Sequence, residues 1–179
     1  MNKFQLNMSN HTYSTSTIGF LADFKAVTKM GLSISVVFSS LAGYLLATDV
    51  VDLKTLILLS IGGYFMVGAS NVFNQIIERD LDALMERTKN RPIPSGRMTV
   101  TTAFVLAIIL TLTGLSILYN INERTAMFGA ISICLYTSAY TPLKTKTPLS
   151  VFVGAIPGAI PFMLGWVAAT GKFGIEAGV

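Results

Sequence analysis

One cysteine and one histidine in 179 residues leave almost nothing for thiol or imidazole chemistry. Cys134 has no partner for an intrachain disulfide, and its place in an apolar run predicts a small buried side chain. His11 stands alone in a polar segment, so too few ligands exist for a zinc or iron–sulfur centre built from this chain. Charge is also scarce. Asp, Glu, Lys and Arg make up 12% of the residues, about half the ~25% usual in soluble domains. With 52% hydrophobic residues and a mean hydropathy of +0.63, the composition predicts an integral membrane protein whose solvent is a lipid bilayer. The net charge of +4 is informative through its distribution, and no nucleic-acid partner is expected. Residues 1–22 lack the basic-then-apolar order of a cleaved signal and read as a polar N-terminal tail. Residues 23–179 then form one transmembrane domain.

Five apolar runs reach spanning length, roughly 17–25 residues: 31–48, 53–77, 99–119, 125–141 and 149–170. The predicted fold class is therefore all-α, a polytopic membrane helix bundle. Lysine and arginine set its orientation. With the N-terminus cytoplasmic, Lys3, Lys25, Lys29, Arg79, Arg87, Lys89, Arg91, Arg97, Lys144 and Lys146 share one side, and Lys54, Arg124 and Lys172 the other. That asymmetry predicts a cytoplasmic N-terminus. Gly-rich stretches such as "GGYFMVGAS" and "GAIPGAIPF" read as close-packing positions, and Trp166 as an interfacial anchor.

The exception to the scarcity of charge is "NQIIERDLDALMERTKNRP", residues 74–92. It holds no glycine or proline before Pro92, so it is expected to prolong the second span as helix to about Thr88. At 100° per residue, Asn74, Glu78 and Asp82 fall within one narrow fan that also takes in Asn71, and Asp80 points the opposite way. Stacked acids at a bilayer surface repel and need a positive partner. Two partners are open: Arg79, Arg87 or Lys89 as salt bridges, or a divalent cation such as Mg²⁺, which prefers carboxylate and amide oxygens. "NRPIPSG" then reverses the chain and carries Arg91 near the acids. "YTPLKTKTP" adds Lys144 and Lys146 on the same face. Each of these cations reads either as a topology anchor or as a phosphate contact. Oxygen ligands, clustered cations and apolar walls together suit a diphosphate carried on a long hydrocarbon.

These residues resemble a known pattern. "NQIIERDLD" is similar to the first acidic motif, N-D-x-x-D-x-x-x-D, of the UbiA-type intramembrane prenyltransferase superfamily. Gln75 stands at the second-position aspartate, and Glu78 stands where the pattern has a shorter acid. "SNVFNQIIERDLDALMERTKNRPIPSG" and "YTPLKTKTPLSVFVGAIPGAIPFMLGW" resemble in particular the protoheme IX farnesyltransferase (heme O synthase) family. The resemblance implies transfer of a farnesyl group from farnesyl diphosphate to a vinyl group of heme B, giving heme O. It implies Mg²⁺ held by Asn74, Glu78 and Asp82 as metal and catalytic residues. Lys29, Tyr140 and Lys144 are implied diphosphate contacts, Lys29 matching a family lysine and Tyr140 and Lys144 a Y-x-x-x-K element; Arg87, Arg91 and Lys146, cations on the same face, are candidate diphosphate contacts beside them. Heme A synthase or oxidase assembly factors are implied partners, and a bacterial plasma membrane the implied location. Thr145 departs from a usual basic residue, and Met30 from a proline after Lys29. The family's nine-span fold has a second acidic motif, whereas no Asp or Glu lies between Glu123 and Glu176. The chain is therefore expected to be the N-terminal part of such an enzyme and to lack full activity alone. A prenyltransferase with an aromatic or quinone acceptor, or a non-catalytic transporter or scaffold with an acidic interfacial patch, are the alternative readings.

Overall fold

A computed structural model describes residues 17–144, 147 and 150–173. The described residues contain only helices and turns. In chain order they are α1 (Thr17–Val27), α2 (Met30–Leu46), α3 (Leu53–Ile77), α4 (Arg79–Leu84), α5 (Val100–Tyr119), α6 (Glu123–Cys134), α7 (Thr141–Lys144) and α8 (Ser150–Thr170). A π-helical segment, Leu135–Tyr140, joins α6 to α7. α3, α5, the continuous run Glu123–Lys144 and α8 are each long and apolar enough to cross a bilayer. α1 and α2, bent by 49° at their junction, make a fifth candidate when taken as one broken span. The chain is an all-helical integral membrane protein, as its composition predicts.

Short polar residues start the helices. Asp52 accepts hydrogen bonds from the Lys54 and Thr55 amides at α3, Thr99 from Thr102 at α5, and Asn122 from Thr125 at α6. Each side chain occupies donors that the first helical turn cannot satisfy itself. α3 runs along α5 on one side and α2 on the other, and α2 also lies along α8. The α2–α8 crossing is backbone on backbone. A Cβ added at Gly165 would sit 1.8 Å from the Ser40 carbonyl oxygen, and one at Gly43 would sit 2.1 Å from that of Phe162. Leu59, Val72, Ala103, Ala107 and Leu118 fill the centre. Phe38, Leu46, Val151 and Phe152 face outward, where lipid rather than water solvates them.

Four local features differ from the sequence expectations. The tail gives way to helix at Thr17, because Gly19–Leu21 already begins an apolar segment. The acidic extension of α3 is interrupted at Glu78 (φ −90°, ψ 5°) and its helix ends at Leu84 rather than Thr88. Met85 turns extended there, and Thr88 folds back to donate its hydroxyl to the Asp82 carbonyl at 2.9 Å. The fourth span widens into the π segment, whose last turn is closed by Thr141 N–H and Oγ1 both donating to Tyr136 O. Cys134 is exposed rather than buried, since it lies on the outward face of α6. His11 lies outside the described residues.

Candidate active site

α3 and α4 deliver the acids to one end of the bundle. The backbone steps from Asn74 to Glu78 to Asp82 keep i,i+4 hydrogen bonds, 2.9 Å for Glu78 N to Asn74 O and 2.8 Å for Asp82 N to Glu78 O. The break at Glu78 therefore leaves the register of the three side chains intact. All three are buried, at 1%, 6% and 4% exposure. Asp80, on the other face, is exposed and pairs with Arg79.

Buried carboxylates need compensation, and it comes from elements distant in sequence. Lys144 Nζ, at the end of α7, lies 2.8 Å from Glu78 Oε1 and 3.1 Å from Oε2. Only the Oε2 contact has hydrogen-bond geometry, leaving Oε1 buried without a hydrogen-bond partner among the described residues. Arg91 Nη1 donates to Asp82 Oδ2 at 2.7 Å from the Pro-rich turn. Asn74 Nδ2 donates to Thr141 Oγ1 at 3.4 Å. Lys29, half-buried at the α1–α2 break, lies among the charges of Arg91, Lys144, Glu78 and Asp82. Its ammonium has no ion pair or hydrogen bond among the described residues. Three cations against two carboxylates give the cluster a formal charge of +1, an arrangement that attracts an anion.

Lys29 adopts the left-handed conformation (φ 48°, ψ 57°), the only non-glycine residue described with positive φ. Such a backbone costs about 1–3 kcal/mol and persists where surrounding structure over-determines it.

Beside the cluster, a cavity of about 790 Å³ opens between α2, α3, α8 and the π segment. Leu32, Val67 and Pro157 line it together with Ser35, Ser39, Asn71 and both Tyr136 and Tyr140. Those tyrosine rings meet at a tilt of 37° with centroids 5.2 Å apart, and Tyr140 packs over Gly154, where a Cβ would come within 2.7 Å of its ring. A smaller space of about 50 Å³ continues inward past Val36, Ser70 and Ser132 to Met66 and Leu118.

Of the sequence-derived site residues, the fold brings together Asn74, Glu78, Asp82, Lys29, Arg91 and Lys144, and places Tyr140 on the adjoining cavity wall. Arg87 is not among them. Because helix ends at Leu84, its side chain leaves the acid face and is exposed, with no ion pair or hydrogen bond among the described residues. Lys89, a candidate counter-ion, pairs instead with exposed Glu86. Lys146 lies outside the described residues. Tyr136 and Thr141 join the site without a motif or period in the sequence to mark them. Tyr136 lies within electrostatic range of Glu78, and only the π turn places it there.

Among the described residues no group of three His, Cys, Asp or Glu side chains converges on one point. The donor set still fits a hard cation that shares its coordination with a ligand. It has two carboxylates and an amide oxygen on one face, and Glu78 Oε1 lacks a hydrogen bond among the described residues. Mg²⁺ commonly takes one or two protein carboxylates plus phosphate oxygens.

Residues 36–179 match the family model for the UbiA prenyltransferase family. The chain is 67% identical over 171 residues to a protoheme IX farnesyltransferase of Christiangramia forsetii, covering 96% of this chain and 57% of that protein. It is 74% identical over 159 residues to one from Flavobacterium psychrophilum, covering 87% and 53%. The chain thus spans a little over half the length of these curated relatives. The fold is similar to that of a UbiA homolog from Archaeoglobus fulgidus bound to GPP and Mg²⁺. The TM-score is 0.75 at 18% identity, over 86% of this chain and 56% of that one.

Proposed function

The chain belongs to the UbiA prenyltransferase family, and from that premise we propose that it carries the diphosphate-binding half of a heme farnesyltransferase. The reaction joins C1 of farnesyl diphosphate to a vinyl carbon of heme B. The allylic C–O bond breaks, diphosphate leaves with the electron pair, and the vinyl π electrons form the new C–C bond. Water captures the carbocation left on the former vinyl group and loses a proton, giving the hydroxyethylfarnesyl side chain of heme O. Relatives named for this activity support the reading, as does the solved homolog that holds a prenyl diphosphate with Mg²⁺.

The observation that carries the reading is the cluster of two buried acids, each ion-paired, with a third, unpaired cation beside them at the cavity. Asn74, Glu78 and Asp82 would hold Mg²⁺, which when bound neutralises charge building on the leaving diphosphate. Lys144 and Arg91 are poised to exchange carboxylate for phosphate oxygens, and Lys29 has no carboxylate to give up. Arg91 can meet phosphate bidentately, and the two lysines act as point charges. All three oppose the recombination of diphosphate with the allylic cation by holding its charge. The apolar side of the cavity takes the hydrocarbon, with the tyrosine pair closing its mouth. The site is proposed to face the cytoplasm of a bacterial plasma membrane, as the lysine and arginine asymmetry predicts. Heme A synthase or an oxidase assembly factor is the proposed recipient of the product.

The test is Mg²⁺-dependent binding of radiolabelled farnesyl diphosphate by membranes containing the chain, followed by transfer of the label once a segment carrying the second acidic motif is supplied. Heme B should become labelled heme O in a Mg²⁺-dependent manner. Labelling of an aromatic or quinone precursor in preference to heme would contradict the acceptor assignment. Absence of Mg²⁺-dependent farnesyl diphosphate binding would restore the transporter or scaffold reading.

A further inference from the structure

The hinge that presents Lys29 is held by two amides from α3. The last carbonyls of α1 have no partner within their own helix. Gln75 Nε2 donates to Val27 O at 2.7 Å, and Asn71 Nδ2 to Thr28 O at 3.2 Å. Ser33 Oγ donates to the same Thr28 carbonyl at 2.8 Å. Gln75 is 0% and Asn71 2% exposed. These bonds fasten the two residues preceding Lys29, whose left-handed backbone would otherwise relax into a continuous helix. Gln75 Oε1 has no hydrogen-bond partner among the described residues, and the contact that Gln75 makes at this junction is the donated bond.

We propose that Gln75 and Asn71 are positioning residues that clamp the α1–α2 hinge through the Val27 and Thr28 carbonyls and thereby aim the Lys29 ammonium at the bound diphosphate. The proposal rests on the diphosphate reading above. In it, Gln75 stands one residue from the acid ladder yet holds backbone rather than metal. Its effect on substrate passes entirely through Lys29.

The experiment is a double-mutant cycle on the purified protein in detergent, with farnesyl diphosphate and uncharged farnesol as separate probes. Gln75→Met keeps length and volume but removes the donor. Lys29→Ala and Gln75→Met should each weaken diphosphate binding roughly tenfold, the size of one hydrogen bond to a charged group. The double variant should match Lys29→Ala within about twofold, because the two changes remove one interaction. Farnesol binding should not change. Fully additive losses, or an equal loss of farnesol, would overturn the proposal and leave Gln75 a packing residue. If Lys29→Ala binds diphosphate as wild type does, the diphosphate role of Lys29 falls and the clamp falls with it. Should Gln75→Met fail to fold, Gln75→Asn, whose amide is one methylene short of Val27, completes the same cycle.

Discussion

Replacing Asp82 by asparagine separates two jobs that this carboxylate is assigned. Asp82 is 4% exposed and holds Arg91 at 2.7 Å. The substitution preserves shape, removes one negative charge and releases Arg91 from its ion pair. The formal charge of the cluster rises from +1 to +2. A phosphate about 6 Å away, the rise of four helical residues, gains about 3 kcal/mol per unit of its negative charge at an effective dielectric near 20. In chelator, therefore, Asp82→Asn should bind farnesyl diphosphate as tightly as wild type or more tightly. With millimolar Mg²⁺ the order should reverse, because a metal ligand is lost. Binding should then fall roughly 10- to 100-fold, the range typical when a metal-site group is removed. Equilibrium binding in the two buffers reads both arms. Parallel losses with and without Mg²⁺ would refute the metal assignment and reduce Asp82 to a structural partner of Arg91.

Lys144→Ala should leave Glu78, 6% exposed, uncompensated. Lys144 is itself 44% exposed, so solvent screening limits the cost to about 1–2 kcal/mol. Thermal unfolding in detergent should show that loss, with Glu78→Gln restoring most of it in the double variant. Gly165→Ala places a methyl against the Ser40 carbonyl and 2.7 Å from the Tyr44 amide nitrogen. Neither is the end of a flexible side chain, so destabilisation of about 3 kcal/mol or more is expected by the same assay, and a neutral result would refute the tight crossing. Lys29→Gly should leave stability unchanged or raised, because glycine accepts the left-handed backbone, while diphosphate binding falls as in Lys29→Ala. Asp52, at the opposite end of the bundle, is held below the usual carboxylate range chiefly by the Thr55 hydroxyl and amide. Its cap is complete above the ordinary aspartate value and should be lost as pH falls through the depressed one. The acid limb of a stability–pH profile should therefore be shallower in Asp52→Asn.

The acid face was legible in the sequence because it depends on helical periodicity alone, and Asn74, Glu78 and Asp82 keep their register even across the break at Glu78. The spans were legible because bilayer thickness fixes their length. Counter-ion identity was not. Arg79, Arg87 and Lys89 are near the acids in sequence, but Arg79 pairs with Asp80 on the opposite face, and the helix end at Leu84 turns Arg87 and Lys89 away. Arg91 and Lys144 take those places from a turn and from a helix some sixty residues on. Tyr136 and Thr141 depend on the π turn, whose extra residue has no sequence period to announce it. Gln75 looked like a missing acid, and only the bent α1–α2 junction, where Val27 presents a free carbonyl, explains why an amide serves there.

The proposed function requires that the Asn74–Glu78–Asp82 face and the cations around it grip a metal-bound diphosphate. Diffraction from crystals grown with Mn²⁺ and a non-hydrolysable farnesyl thiodiphosphate tests it most directly. An anomalous manganese peak bounded by those three side chains is expected, with Lys144, Arg91 and Lys29 turned onto phosphate oxygens. Manganese and diphosphate bound elsewhere, with the Glu78–Lys144 and Asp82–Arg91 pairs intact, would contradict it.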